Sequence, residues 1–161
     1  MKKIILSAFI FVMTMTTNTF ADIKMGIILG FTGPIESLTP AMAASAELAF
    51  KEASDSGSLL GGKRISVERA DSTCVDSAAA TSAAEGLISG GVVAIMGADC
   101  SGVTGAIAKN VAVPNGVVMI SPSATSPGLT DLKDNGYFFR TAPSDARGGQ
   151  ILADITKDRG I

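Results

Sequence analysis

The chain of 161 residues has no histidine, so neither a Ser-His-Asp triad nor a Cys-His pair can be assembled from it. It has only two cysteines, Cys74 and Cys100, and without imidazole they cannot fill a zinc shell unaided. No metal and no cofactor is expected. No basic stripe or cluster is present, which argues against a nucleic-acid groove. The glycine turn Gly30-Phe31-Thr32-Gly33-Pro34 lacks the G-x-G-x-x-G order of a dinucleotide loop, and Pro34 removes an N–H that a pyrophosphate would need. No phosphate loop ending in Gly-Lys-Ser or Gly-Lys-Thr occurs either, and Gly62-Lys63-Arg64 reads as a connection into a strand. Beyond the first 21 residues, no apolar run is long enough to span a bilayer. Carboxylates near strand ends, such as Glu36, Asp71 and Asp99, fit loop caps and solvated charges better than general bases. The chain is therefore read as a non-enzyme.

What is present begins with an address. Met1-Lys2-Lys3 is a short basic segment, Ile4 to Val12 is almost unbroken apolar sequence, and Thr19-Phe20-Ala21 before Asp22 ends in the small residue that signal peptidase favours. Residues 1–21 are therefore expected to be a cleaved export signal. No cysteine stands at the cleavage point, so no lipid attachment is expected there. Without Lys2 and Lys3 the chain keeps 11 basic against 15 acidic residues, a formal charge of −4. Export places Cys74 and Cys100 in an oxidising compartment, where a pair tends to become a disulfide; two separate buried thiols are the alternative.

Length suits one domain, and a hydrophobic content of 47% is enough for an ordinary core. Apolar runs alternate with amphipathic stretches. Strands are expected at Ile23 to Leu29, Ile65 to Ala70, Val92 to Met96, Val117 to Ile120 and Tyr137 to Arg140. Helices are expected at Thr39 to Ser54, Asp76 to Ser89, Gly102 to Val111 and Ala146 to Lys157. Thr39 reads as a hydroxyl cap followed by proline in the first turn, and Asp76 as the cap of the second helix. Such alternation implies an α/β fold with a parallel sheet covered on both faces.

Two hydroxyl-rich loops then stand out. Ala98-Asp99-Cys100-Ser101-Gly102-Val103-Thr104 follows the third strand, and Ser121-Pro122-Ser123-Ala124-Thr125-Ser126-Pro127 follows the fourth. On neighbouring parallel strands both open at the carboxyl edge of the sheet, where open α/β folds place their ligands. Ser101, Ser123 and Thr125 can together supply donors to a carboxylate and acceptors to an ammonium. The competing explanation is structural, since Ser and Thr are ordinary cap and turn residues.

The order of features resembles the leucine/isoleucine/valine-type periplasmic binding proteins of ABC importers. The resemblance rests on Asp22-Ile23-Lys24-Met25-Gly26, Thr32-Gly33-Pro34, Ala46-Glu47-Leu48-Ala49-Phe50, Cys74, Cys100-Ser101-Gly102 and Ile120-Ser121-Pro122-Ser123-Ala124-Thr125, and it covers essentially all of the chain after the signal. It implies a Rossmann-like lobe of a type I periplasmic binding protein. Residues 22–142 would form most of the first lobe, and residues 143–161 the hinge and the start of a second. It further implies that Ser101 and Thr125 hold a ligand carboxylate, that Thr125 and the Ser123 carbonyl help hold an ammonium, and that a Cys74–Cys100 disulfide fixes the loop bearing Ser101.

The implied partners are an amino acid or related zwitterion and a membrane permease, and the implied location is periplasmic. Two departures matter. Leu38 stands where branched-chain binders often present an aromatic ring. Members of the family also run to roughly twice this length, so the chain reads as truncated after the first lobe, and its 161 residues alone are expected to bind feebly. A sensor on the same scaffold, responsive to an amide or an amino acid, is the rival reading.

Overall fold

The computed structural model describes residues 22–161, and the export signal expected over residues 1–21 lies outside the described residues. Strands and helices alternate as β1 (Ile23–Leu29), α1 (Thr39–Asp55), β2 (Ile65–Asp71), α2 (Ser77–Ser89), β3 (Ala94–Gly97), α3 (Ser101–Ile107), β4 (Val118–Ser121), β5 (Phe138–Arg140) and α4 (Asp145–Asp158). The five strands are all parallel, in the order β2-β1-β3-β4-β5. The strand order reverses between β1 and β3, so the crevice of an open α/β sheet lies at the ends of those two strands.

Alternation along β1 sorts its side chains between two layers. Ile27 and Leu29 join Ala43, Met42, Ala46 and Phe50 of α1 on one face. Ile28 enters the larger cluster on the other face, with Ala80, Ala84 and Leu87 of α2, Val103 and Ile107 of α3, and Ile95 and Met119 from the sheet. Small residues on α2 let the helix sit close to the sheet. Gly97 ends β3 with φ +133°, and a Cβ there would stand 2.0 Å from the Ile28 carbonyl oxygen, so only glycine lets β3 finish against β1. The Gly97–Ala98 peptide bond is cis.

The helix ends repay attention individually. Asp76 caps α2 as expected, its Oδ1 accepting from the N–H groups of Ala78 and Ala79 at 2.9 and 3.0 Å. The expectation for Thr39 needs correcting: Leu38 occupies the cap position of α1 and no side chain caps it. Thr39 is instead the first helical residue, fully buried, and its hydroxyl donates to the Gly30 carbonyl at 3.1 Å, pinning the helix to the end of β1. The single helix expected over Gly102 to Val111 is α3 followed by a π turn, Ala108–Ala112, closed by the Val113 N–H on the Ala108 carbonyl at 3.0 Å.

The two faces are covered unequally. Towards α1 a shallow apolar groove remains, lined by Met25, Phe50, Ala94, Ile95, Met96 and Ile120. Helix α4 buries none of its residues and exposes Ile151, Leu152 and Ile155. Among the described residues no helix is long and apolar enough to cross a membrane.

Candidate functional site

The carboxyl ends of β1, β2 and β3 are gathered by one side chain. Asp99, only 3% exposed, accepts from the Gly30 N–H at 2.7 Å through Oδ2, and from the Cys100 N–H at 2.8 Å and the Ser72 hydroxyl at 3.3 Å through Oδ1. Three donors offset the cost of burying the carboxylate. Asp71 plays a lesser part of the same kind, accepting from the Thr32 hydroxyl and from the N–H groups of Thr32 and Thr73. Partial burial pushes the Asp71 carboxyl up, but the bonds from Thr32, Thr73 and Phe31 outweigh burial and hold it below the ordinary aspartate range. Neither carboxylate is placed as a free base. A Cys74–Cys100 disulfide, with Cα atoms 5.2 Å apart, links the segments that lead into α2 and α3, and no free cysteine remains among the described residues.

The loop after β4 is stitched onto this rim. Ser101 Oγ accepts from the N–H groups of both Thr125 and Ser126, each at 3.1 Å. The Ser123 hydroxyl donates to the Asp99 carbonyl at 3.1 Å. Buried Ser121 donates to the Ala98 carbonyl and accepts from the Ala124 N–H. From β5, Arg140 donates to the Ser126 carbonyl at 2.7 Å, the Ala124 carbonyl at 3.4 Å and the Thr130 hydroxyl at 2.6 Å, so a cation braces the loop from behind.

Ser101, Ser123 and Thr125, the residues singled out in the sequence, thus lie within one hydrogen-bonded patch at the sheet's carboxyl edge. Each is already engaged with protein atoms. Ser101 uses both lone pairs on N–H donors and keeps its proton. Thr125 has committed its N–H to Ser101 and its hydroxyl proton to Asp145 Oδ2 at 2.8 Å, while its carbonyl accepts from the Asp145 N–H at 3.0 Å. Asp145 and Arg140 escaped the sequence reading, because bonds across 20 and 14 residues leave no local signal. Leu38, in the loop after β1, is 61% exposed.

This geometry has relatives. Residues 22–161 match the family model described as periplasmic binding protein. The chain belongs to that family. Among periplasmic binding proteins it is similar to the leucine-specific-binding protein of Salmonella typhimurium, 32% identical over 132 residues, which are 82% of this chain and 35% of that protein. A solved structure of the branched-chain amino acid transporter substrate binding protein LivJ from Streptococcus pneumoniae, in complex with isoleucine, superposes with a TM-score of 0.69 at 34% identity, covering 78% of this chain and 35% of that one. A solute binding protein from Rhodopseudomonas palustris in complex with benzoate gives a TM-score of 0.73 at 27% identity, covering 88% and 38%. These relatives are binding proteins rather than enzymes, and the expected α/β, type I periplasmic binding lobe is met. The chain spans about a third of the length of the curated relatives it matches.

Proposed function

We propose that this chain belongs to the solute-binding component of an ABC importer, exported to the periplasm, which captures a branched-chain or related amino acid and presents it to a membrane permease. Residues 22–142 would supply one lobe and residues 143–161 lead into a second, with the ligand held between them and closure driven by its binding. No covalent chemistry and no cofactor enter the cycle.

The reading rests on the junction of Ser101 with Thr125. In it the Ser101 hydroxyl donates to the ligand carboxylate, and the Thr125 oxygen and the Ser123 carbonyl accept from the ammonium. The Arg140 guanidinium behind the loop adds positive potential on the carboxylate side. Family membership and the leucine- and isoleucine-binding relatives support the ligand class.

The test is calorimetry on the full-length product of the gene encoding this chain, with leucine, isoleucine, valine and benzoate. One-to-one binding of an aliphatic amino acid is expected, weakened about tenfold or more by Ser101→Ala, since a hydrogen bond to a charged group is lost. Benzoate binding with no amino-acid binding would overturn the assignment.

A further inference from the structure

Three hydroxyl protons around the site are not free to turn. Ser123 gives its proton to the Asp99 carbonyl, Thr141 gives its own to the Pro122 carbonyl at 3.2 Å, and Thr125 gives its own to Asp145. Of these four hydroxyls, Ser101, with both lone pairs occupied, is the one that keeps a proton to offer outward. At the three residues singled out for ligand contact, Ser101 therefore presents a donor, and Thr125 and Ser123 present acceptor lone pairs.

Asp145 sets that polarity at the position beside the donor. An acid in the first turn of a helix is ordinary, because it complements the helix dipole. Here, however, Ser144 already caps α4 by accepting from the Ala146 N–H at 3.3 Å, and the Asp145 side chain turns back to Thr125 instead. Its own N–H holds the Thr125 carbonyl. The two contacts fix Thr125 from both its backbone and its side chain.

We propose that Asp145 is a specificity-determining positioning residue: by holding the Thr125 hydroxyl proton it leaves that oxygen an acceptor only, and so restricts the site to carboxylate ligands that also carry a protonated amine. The inference rests on the amino-acid reading above and names how the amine is demanded. Isoleucine and benzoate, the ligands of two solved relatives, both bear a carboxylate, and only the first bears an amine. Thr125 is half-buried as it stands; once a ligand covers it, an acceptor facing an amine-less ligand gives up water and gains no partner, and a site built that way rejects such analogues strongly. Without Asp145, the Thr125 hydroxyl can rotate and donate to a carboxylate, and the demand for an amine is relaxed.

The experiment compares leucine with 4-methylpentanoate, which has the same side chain and carboxylate and no amine, on the full-length gene product. The unaltered protein is expected to prefer leucine by about a hundredfold or more. Asp145→Ala is expected to cut that preference about tenfold or more, through weaker leucine binding and unchanged or tighter binding of 4-methylpentanoate. Asp145→Asn, whose amide oxygen can still accept the Thr125 proton, should retain most of the preference. Thr125→Val, which removes the acceptor itself, should weaken leucine binding at least as much as Asp145→Ala without tightening 4-methylpentanoate, and adding Asp145→Ala to it should change little further, as for residues acting through a shared contact. Circular dichroism should show all four folded, since Asp145 is exposed on a helix that buries nothing.

If leucine binds and Asp145→Ala leaves the preference intact, or if the two losses simply add, the role of Asp145 is overturned while amino-acid capture stands. If the unaltered protein takes benzoate and 4-methylpentanoate but no amino acid, both fall.

Discussion

The two sides of the sheet are held by different physics. On the side of α2 and α3, fully buried Ile28, Ile95, Ile107 and Met119 interlock with alanines of the helices, and a disulfide ties the entries to both helices. On the side of α1 the buried set is Ile27, Leu29 and Ala43. Half-buried Met42, Ala46, Phe50, Val67 and Met96 pack against that set, and surface polar ties add to it: Arg69 grips Glu47 with two bonds of 2.6 and 2.7 Å and lies 5.5 Å from the Phe31 ring centroid, and Asp71 clasps Thr32. One side is secured by deeper packing that ignores pH, and the other by a smaller apolar cluster together with charges that water and protons can reach. Rigidity at the Ser101 rim comes from the first side, which carries the disulfide and α3. The open apolar groove lies on the second.

Matched truncations across the sheet sharpen this contrast most. Ile107→Ala, fully buried between α3 and the sheet, should cost about 2–5 kcal/mol in urea unfolding. Ile120→Ala, 41% exposed over the groove, should cost less than about 1 kcal/mol. Equal losses would mean that the two sides are equally packed. Next in size, Cys74→Ala with Cys100→Ala should lower stability by about 3.5 kcal/mol, the loop-entropy value for a separation of 26 residues. The loss should be the same at pH 7 and pH 5, because no proton is involved.

The smallest effect belongs to the α1 side. The Asp71 carboxyl titrates below its unfolded value, so its stabilising contribution is full above about pH 4 and is lost as pH falls through the lower, folded value. Asp71→Asn should therefore flatten the acid limb of a stability–pH profile measured from pH 5 to pH 2, and leave the neutral region nearly level. A steeper acid limb in the variant would contradict that sign.

How much of this was legible in the chain depends on distance along it. Ile23 to Leu29 and Asp76 with its alanine-rich helix carry their own patterns, so strand, cap and helix could be read locally. The order of strands and helices followed from those patterns, with ends displaced by a residue or two. The meeting of Ser101 with Thr125 was also readable, because parallel neighbours place their following loops on one edge. Thr39 misled because a hydroxyl before proline looks the same whether it caps its own helix or reaches back to Gly30. The π turn at Ala108–Ala112 has no composition of its own. Asp99 and Asp145 were beyond reach, since what each carboxylate accepts is settled by segments brought together only when the sheet closes. The direction of each hydroxyl proton follows from those long-range partners.

The double acceptance at Ser101 changes how a classical alanine scan of this rim should be interpreted. Deleting that oxygen unties two loops as well as withdrawing one donor, so a drop in affinity for Ser101→Ala mixes scaffold slackening with lost recognition. Cysteine at the same place, weaker in both roles but still able to bridge, would help separate the two contributions.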